Sequence, residues 1–251
     1  MATLAVEEPL EIRLGGQPFV VTMRTPGDDM DLAAGHLVSE GAIWHRDHLP
    51  EICYCTTVSG RAEQDFNTLT VTLSPDIPEP RAARATTMSS ACGVCGVDSI
   101  DEVHRSAHFA PEPVEPLVGA EVLLSLPDRL RERQALFGKT GGVHAAGLFS
   151  AEGDLLCLRE DVGRHNAVDK VVGWALREGR LPLRHTVLQV SGRASFELVQ
   201  KASMAGIPLM SAVSAPSSLA VELATDTRIT LVGFSREERA TIYTHPERVR
   251  E

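Results

Sequence analysis

The alternation of short apolar runs with helix-like stretches through the second half of the chain constrains the fold most. Leu155–Leu158 reads as a strand, and 164–178 as a helix with Val168, Val171, Val172 and Ala175 on one face. Val187–Val190 reads as a short buried strand, followed by a helix over 195–205, a strand at Pro208–Met210, a helix over 217–224 and a strand over Arg228–Phe234. Helices set between strands favour parallel neighbours joined by right-handed crossovers, so an α/β sheet covered by helices is the economical architecture. Val143–Phe149, a Glu-Gly-Asp turn and Leu155–Leu158 form a β-hairpin at its start.

The first half is less regular. Residues 9–24 alternate around Gly15-Gly16 as a hairpin, Thr25-Pro26-Gly27-Asp28 is a turn that caps a helix over 29–40, and Gly41 ends that helix. Thr68–Leu73 alternates as a strand, and 119–136 reads as a helix with Pro127 a possible break. Pro111, Pro113 and Pro116 mark a boundary between a smaller N-terminal α+β subdomain, 1–115, and an α/β subdomain, 116–251. The apolar fraction is 43% and the aromatic fraction 4%, a core of Val, Leu, Ile and Ala that suits buried parallel strands. A net charge of −10 argues against a broad nucleic-acid or acidic-membrane surface. No apolar run approaches the ~20 residues that span a bilayer. No basic start followed by an apolar stretch marks a secretory signal, so the expected location is the cytoplasm.

Cys92-Gly93-Val94-Cys95-Gly96 is the chemically sharpest segment. Glycines inside and after the pair keep the backbone pliable and leave both sulfurs unshielded, which suits metal binding, disulfide exchange or sulfur carriage. The chain has no second C-x-x-C, which weakens the metal reading. Cys53 and Cys55 could join Cys92 and Cys95 in a four-thiolate zinc site, although C-x-C is tight for a zinc knuckle. Cys157, in an apolar strand, reads as inert core.

The loops after the second-half strands are rich in small polar and charged residues, and in an open α/β sheet ligands bind at the carboxyl ends of the strands. They are Arg159–Lys170, Ser191–Glu197, Ser211–Ser218 and Phe234–Arg239. Each is read as opening a helix, where free backbone N–H groups favour anions. Ser191-Gly192-Arg193 adds a hydroxyl, a flexible backbone and a bidentate phosphate donor. His165 stands at a helix start between Arg164 and Asn166. His144 reads equally as a core or a functional histidine, Asp169 and Lys170 as a solvated helix face or as function, and Ser217 and Ser218 foremost as a helix cap.

With these residues in view, the sequence resembles the FdhD/NarQ family. The resemblance rests on Glu8-Pro-Leu-Glu-Ile12, Arg24-Thr-Pro-Gly-Asp28, Gly35–Gly41, the C-x-x-C, Thr140–His144, Glu160-Asp-Val-Gly-Arg-His-Asn-Ala-Val-Asp-Lys170, Ser191-Gly-Arg193 and Phe234-Ser-Arg236. It implies a cytidine-deaminase-like three-layer α/β/α sandwich and a homodimer. It further implies a sulfur carrier that takes sulfane sulfur from a cysteine desulfurase as a persulfide. The carrier then passes it to the molybdenum bis(molybdopterin guanine dinucleotide) cofactor for apo formate dehydrogenase, with no permanent metal. By the resemblance Cys92 carries the persulfide and Cys95 assists. Phe234, Ser235, Arg236, Glu237, Glu238 and Arg239 resemble the family's cofactor stretch; from their charge we infer that Arg236 and Arg239 would meet phosphates and Glu237 or Glu238 the guanine edge. Ser191, Gly192, Arg193, Arg164, His165 and Asn166 complete the binding set.

Three other readings compete. A zinc nucleoside deaminase needs H-x-E ahead of P-C-x-x-C, whereas His144-Ala-Ala146 lacks the glutamate, follows the cysteines, and no proline precedes Cys92. A thiol-disulfide oxidoreductase needs the C-x-x-C at a helix start after a first strand, and here it follows a proline-rich loop. A non-catalytic cofactor chaperone would not need Cys92.

Overall fold

Gly15 and Gly16, at φ 53° and 86°, turn β1 (Glu8–Leu14) back onto β2 (Gln17–Arg24); two successive positive φ values match the twist of a two-residue hairpin. The computed structural model describes residues 2–55, 66–78, 80, 107–111, 113–236 and 238–251, with the backbone of 87–88. Alternation along β1 buries Leu10, Ile12 and Leu14. β3 (Glu51–Tyr54), β4 (Thr68–Thr72) and β5 (Thr87–Met88) complete a mixed sheet of order β3-β4-β1-β2-β5.

Between β2 and β3 runs α1 (Asp29–Ser39). Gly41, at φ 76°, and Ala42 donate their N–H groups to Val38 and Leu37, the αL ending that lets the chain leave the helix abruptly.

β6 (Val118–Gly119) leads into α2 (Ala120–Arg133), then α3 (Ala135–Thr140), β7 (His144–Ser150), β8 (Leu155–Asp161) and α4 (Arg164–Arg177). β9 (Thr186–Val190), α5 (Phe196–Met204), β10 (Leu209–Ala212), α6 (Ser218–Asp226) and β11 (Thr230–Arg236) follow. β12 (Arg239–Ile242) and β13 (Val249–Arg250) end the series. The second sheet has the order β12-β11-β10-β9-β7-β8, and β9, β10 and β11 are parallel. Its two faces bury different sets. Leu188, Val190, Met210 and Leu231 meet α1, α4, α5 and α6, while Val187, Leu209 and Val232 meet α2. The result is helices, sheet, helices in three layers.

α1 and α4 cross at two glycines. A Cβ on Gly35 would lie 1.8 Å from the Asp169 carbonyl oxygen, and one on Gly173 would lie 1.8 Å from that of Asp31. Backbone therefore meets backbone, and one buried cluster runs from Leu10 and Ile12 through α1 and α4 to Leu188 and Leu231, across the 115/116 boundary.

Three local expectations change. α2 continues through Pro127 without a break. β3, β6, β12 and β13 escaped the sequence, being two to four residues long and, in Arg239–Ile242, charged at the start. The segment after β11 opens no helix: Phe234 and Glu238 take positive φ values of 51° and 60°, and the chain folds back as antiparallel β12.

Candidate functional site at the carboxyl edge of the second sheet

The charged motif at the end of β8 divides into an inward and an outward part. Asp161, wholly buried, receives the Lys170 ammonium at 2.7 Å. Its carboxylate also accepts from the backbone N–H groups of Thr25 and Gly163 and from the Asn166 amide. Lys170 donates to the Thr25 carbonyl at 2.8 Å, Asn166 to the Met23 carbonyl at 2.7 Å, and Val162 N–H to the Thr25 hydroxyl. Every strong acceptor of the aspartate is used, which is what makes a buried ion pair tolerable. This knot ties the end of β2 to the β8–α4 corner. Asp169, also buried, holds Ser39 at 2.6 Å and Lys201 at 2.8 Å, while Asp31 holds Arg159 at 2.8 Å and Arg177. Arg24 grips Asp29 with two bonds at 3.1 and 2.9 Å. Asn166, Asp169 and Lys170 therefore point into the protein, not to a ligand or to solvent.

The outward part forms a rim. Ser191 accepts from Ala145 N–H with its hydroxyl and donates its own N–H to the Ala145 carbonyl. That pins the β9 loop to the start of β7 and brings His144 beside Gly192, where an added Cβ would stand 3.5 Å from His144 Nδ1 and 3.9 Å from Arg164 Cδ. Ser214 N–H donates to the Gly192 carbonyl and Phe234 N–H to the Ser214 carbonyl, so the loops after β9, β10 and β11 are laced edge to edge. The structure thus gathers Arg164, His165, Ser191, Gly192, Arg193 and Phe234 along one margin.

Electrostatics along the rim is mixed. Burial foremost, then the charges of Arg164 and His165, lowers the pKa of His144 and keeps its imidazole neutral near pH 7. His165 Nε2 lies 3.4 Å from the Ser195 hydroxyl and 3.6 Å from the Glu197 carboxylate. The His165 contact holds the Glu197 pKa down to about 2 against the opposing effect of burial. The Arg164 Nε is buried and unpartnered among the described residues, and Arg193 is exposed. These are donors awaiting an acceptor.

Past Phe234 the rim opens into a groove of about 640 Å³ between the start of α2 and the β11–β12 hairpin. Leu123, Leu124 and Ile242 form its apolar walls, and Phe234, Arg236, Glu238 and Arg239 its rim side. Phe234 is 40% exposed because its positive φ turns the ring out of the strand, whereas Ser235 is buried with an unpartnered hydroxyl among the described residues. Cys92, Cys95 and Glu237 lie outside the described residues. Residue identity alone leaves the role of His144 open and does not set Ser195 and Glu197 apart from the rest of the Ser191–Glu197 loop. Their spacing, Ser195 at the N-cap and Glu197 in the first turn of α5, is the sequence signal that marks them.

Helices on both faces of a mixed sheet whose β9, β10 and β11 are parallel, with polar loops laced along its carboxyl edge, define a mixed α/β protein. The family model for the FdhD/NarQ family matches residues 5–250, and the chain belongs to that family. It is 53% identical over 249 residues to the sulfur carrier protein FdhD of Mycolicibacterium paratuberculosis, covering 98% of this chain and 92% of that one. With the sulfur carrier protein FdhD of Saccharolobus solfataricus the identity is 41%, over 98% and 90% of the two chains. A crystal structure of a formate dehydrogenase accessory protein from Desulfotalea psychrophila superposes with a TM-score of 0.79 at 27% identity, covering 99% of this chain and 92% of that one. Among the described residues no helix is long and apolar enough to cross a membrane.

Proposed function

We propose that this protein is a sulfurtransferase of the carrier type. It accepts sulfane sulfur from a cysteine desulfurase as a persulfide on Cys92, with Cys95 as the assisting thiol. It passes that sulfur to molybdenum bis(molybdopterin guanine dinucleotide) bound for apo formate dehydrogenase. The observation that carries this reading is the laced carboxyl-edge rim, where the exposed Arg193 and the arginine-flanked groove beside Phe234 lie with Arg164, whose buried Nε has no partner among the described residues. A large ligand bearing several phosphates and a flat base fits that mixture of guanidinium donors, side-chain-free backbone at Gly192 and apolar wall. The names of the relatives supply the sulfur chemistry.

In this scheme the Cys92 thiolate attacks the outer sulfur of the donor's persulfide and the donor's thiolate leaves. Arg164, Arg193, Arg236 and Arg239 hold phosphates, Gly192 lets the ligand approach the backbone, and Glu238 offers an acceptor to a guanine edge. We further infer that the three layers are a cytidine-deaminase-like sandwich, supported by the parallel β9–β10–β11 core with helices on both faces, that two copies associate, and that the protein works in the cytoplasm.

The test is intact-protein mass spectrometry after incubation with a cysteine desulfurase and L-cysteine. A gain of about 32 Da, reversed by reductant and absent in Cys92→Ala, is expected. A Cys92→Ala variant that still supports formate dehydrogenase would make the protein a cofactor chaperone instead. In parallel, Arg193→Ala should weaken GDP binding in calorimetry with sulfur loading intact; unchanged GDP affinity removes Arg193 from the site.

A further inference from the structure

The connection from α1 to β3 gathers three imidazoles near one indole. Ile43 anchors the connection in the core, and Trp44 and Leu49 pack against the same cluster. Between them Arg46–His48 makes a single 3₁₀ turn, and the His48 carbonyl accepts from Ser74 N–H at 3.0 Å, which fixes the turn just beyond β4. His108 lies flat on Trp44, with ring centroids 4.1 Å apart and planes 17° from parallel. His48 meets the same indole edge-on at 4.5 Å. Phe109 stands edge-on to His108 and comes within 3.5 Å of where a Cβ of Gly206 would lie. Ring contacts therefore hold residues 107–109 between the α1–β3 connection and the turn that follows α5.

Two of the imidazoles serve as acceptors. His48 Nδ1 accepts the Trp44 N–H at 3.4 Å, and His45 Nδ1 accepts the Asp47 N–H at 3.3 Å. An imidazole can accept only while neutral, because both ring nitrogens donate in the protonated form. The His48 ring is 5.9 Å from that of His45 between centroids, and Arg46 shares its turn. His108, Asp47 and Asp76 also act on it. Burial foremost, then His45 and His108, outweighs the two carboxylates and lowers the His48 pKa. A histidine pKa lowered in the fold gives a contribution that is complete above the ordinary value of about 6.5 and fades as pH falls below it. Proton uptake would also turn the Nδ1 acceptor into a donor facing the Trp44 N–H.

We propose that Trp44, His48 and His108 form a pH-sensitive clasp, closed while His48 is neutral and opened by its protonation. Closed, it holds 107–109 against the α1–β3 connection. Opening breaks the Trp44 N–H to His48 bond, parts the stacked rings and frees 107–109, while the two sheets stay packed. The clasped stretch follows the C-x-x-C in the chain.

The experiment uses the full chain carrying Trp174→Phe, which leaves Trp44 as its one tryptophan. It reads acrylamide quenching of Trp44 fluorescence between about pH 8 and about pH 5. The quenching constant should rise about threefold as the half-buried indole becomes exposed, with a midpoint below about 6.5 and far-ultraviolet circular dichroism unchanged. His48→Asn keeps an acceptor near the place of Nδ1 and carries no titratable proton, so quenching should stay low at both ends. His108→Ala removes the stacked ring, and quenching should be high at both. No rise in the Trp174→Phe protein, a rise of the same size when His48→Asn is added, or a rise only together with loss of the circular-dichroism signal overturns the proposal.

Discussion

Gly173→Ala tests the packing that joins the two sheets. The new methyl carbon would lie 1.8 Å from the Asp31 carbonyl oxygen and 2.6 Å from Gly35 N, both backbone atoms of α1. An ordinary carbon–oxygen contact is roughly 3.4 Å, so α1 must retreat by about 1.5 Å along its most crowded line. No side chain can rotate away to relieve this. Core overpacking alone costs about 1–3 kcal/mol. The retreat also loosens the Asp31–Arg177 pair and the Ser39–Asp169 bond at 2.6 Å, which span the same two helices. A destabilisation of about 3–4 kcal/mol follows, near the top of what one substitution does, and a Tm lower by roughly 10 °C for a chain of this length. The assay is thermal and urea unfolding followed by circular dichroism, with Gly138→Ala as control. Gly138 lies inside α3 with open space where its Cβ would go, and there alanine should be neutral or slightly stabilising. A Gly173→Ala protein that melts within 2 °C of the parent, where about 2 °C is less than one kcal/mol, would refute the backbone-contact argument.

Lys170→Met should cost about 3–5 kcal/mol in urea unfolding, because it leaves the Asp161 carboxylate buried without its cation; a loss under about 1 kcal/mol would mean the N–H donors to Asp161 suffice alone. The Glu197 pKa is depressed in the fold, chiefly by His165, so its stabilising contribution is complete above the ordinary carboxylate range and fades as pH falls toward about 2. Glu197→Gln should flatten that part of the acid limb in Tm-versus-pH profiles; an identical limb in parent and variant would show that the His165 contact does not persist in solution.

Much of the architecture is legible because local chemistry dictates it. Gly15-Gly16 sets the hairpin, and Gly41 stops α1 where the apolar spacing of Leu32, Ala33, Leu37 and Val38 ends. The strand–helix alternation after Leu155 returns as β8 through β11 nearly residue for residue. The motif from Glu160 to Lys170 is equally visible as a motif, but its direction is not. Lys170 meets Thr25 and Asp169 meets Ser39 across separations of 145 and 130 residues, and a pairing at that distance leaves no periodic trace in either segment. The sequence therefore offers Asn166, Asp169 and Lys170 as exposed or ligand-facing when they form the internal knot. The loops after β9 and β10 lie at the carboxyl edge as expected because parallel strands put them there. The turn at Phe234 required a positive φ on a non-glycine residue, which side-chain identity does not announce.

The double-glycine crossing also bears on how the protein can move. Here two helix backbones more than a hundred residues apart in the chain rest directly on one another, and ion pairs tie α1 to β8 and α4 to α5 beside the crossing. The crossing behaves as a splint. Taking up or releasing a large ligand has to be accommodated by the laced loops and the β11–β12 hairpin at the rim, while the two sheets remain a single rigid frame.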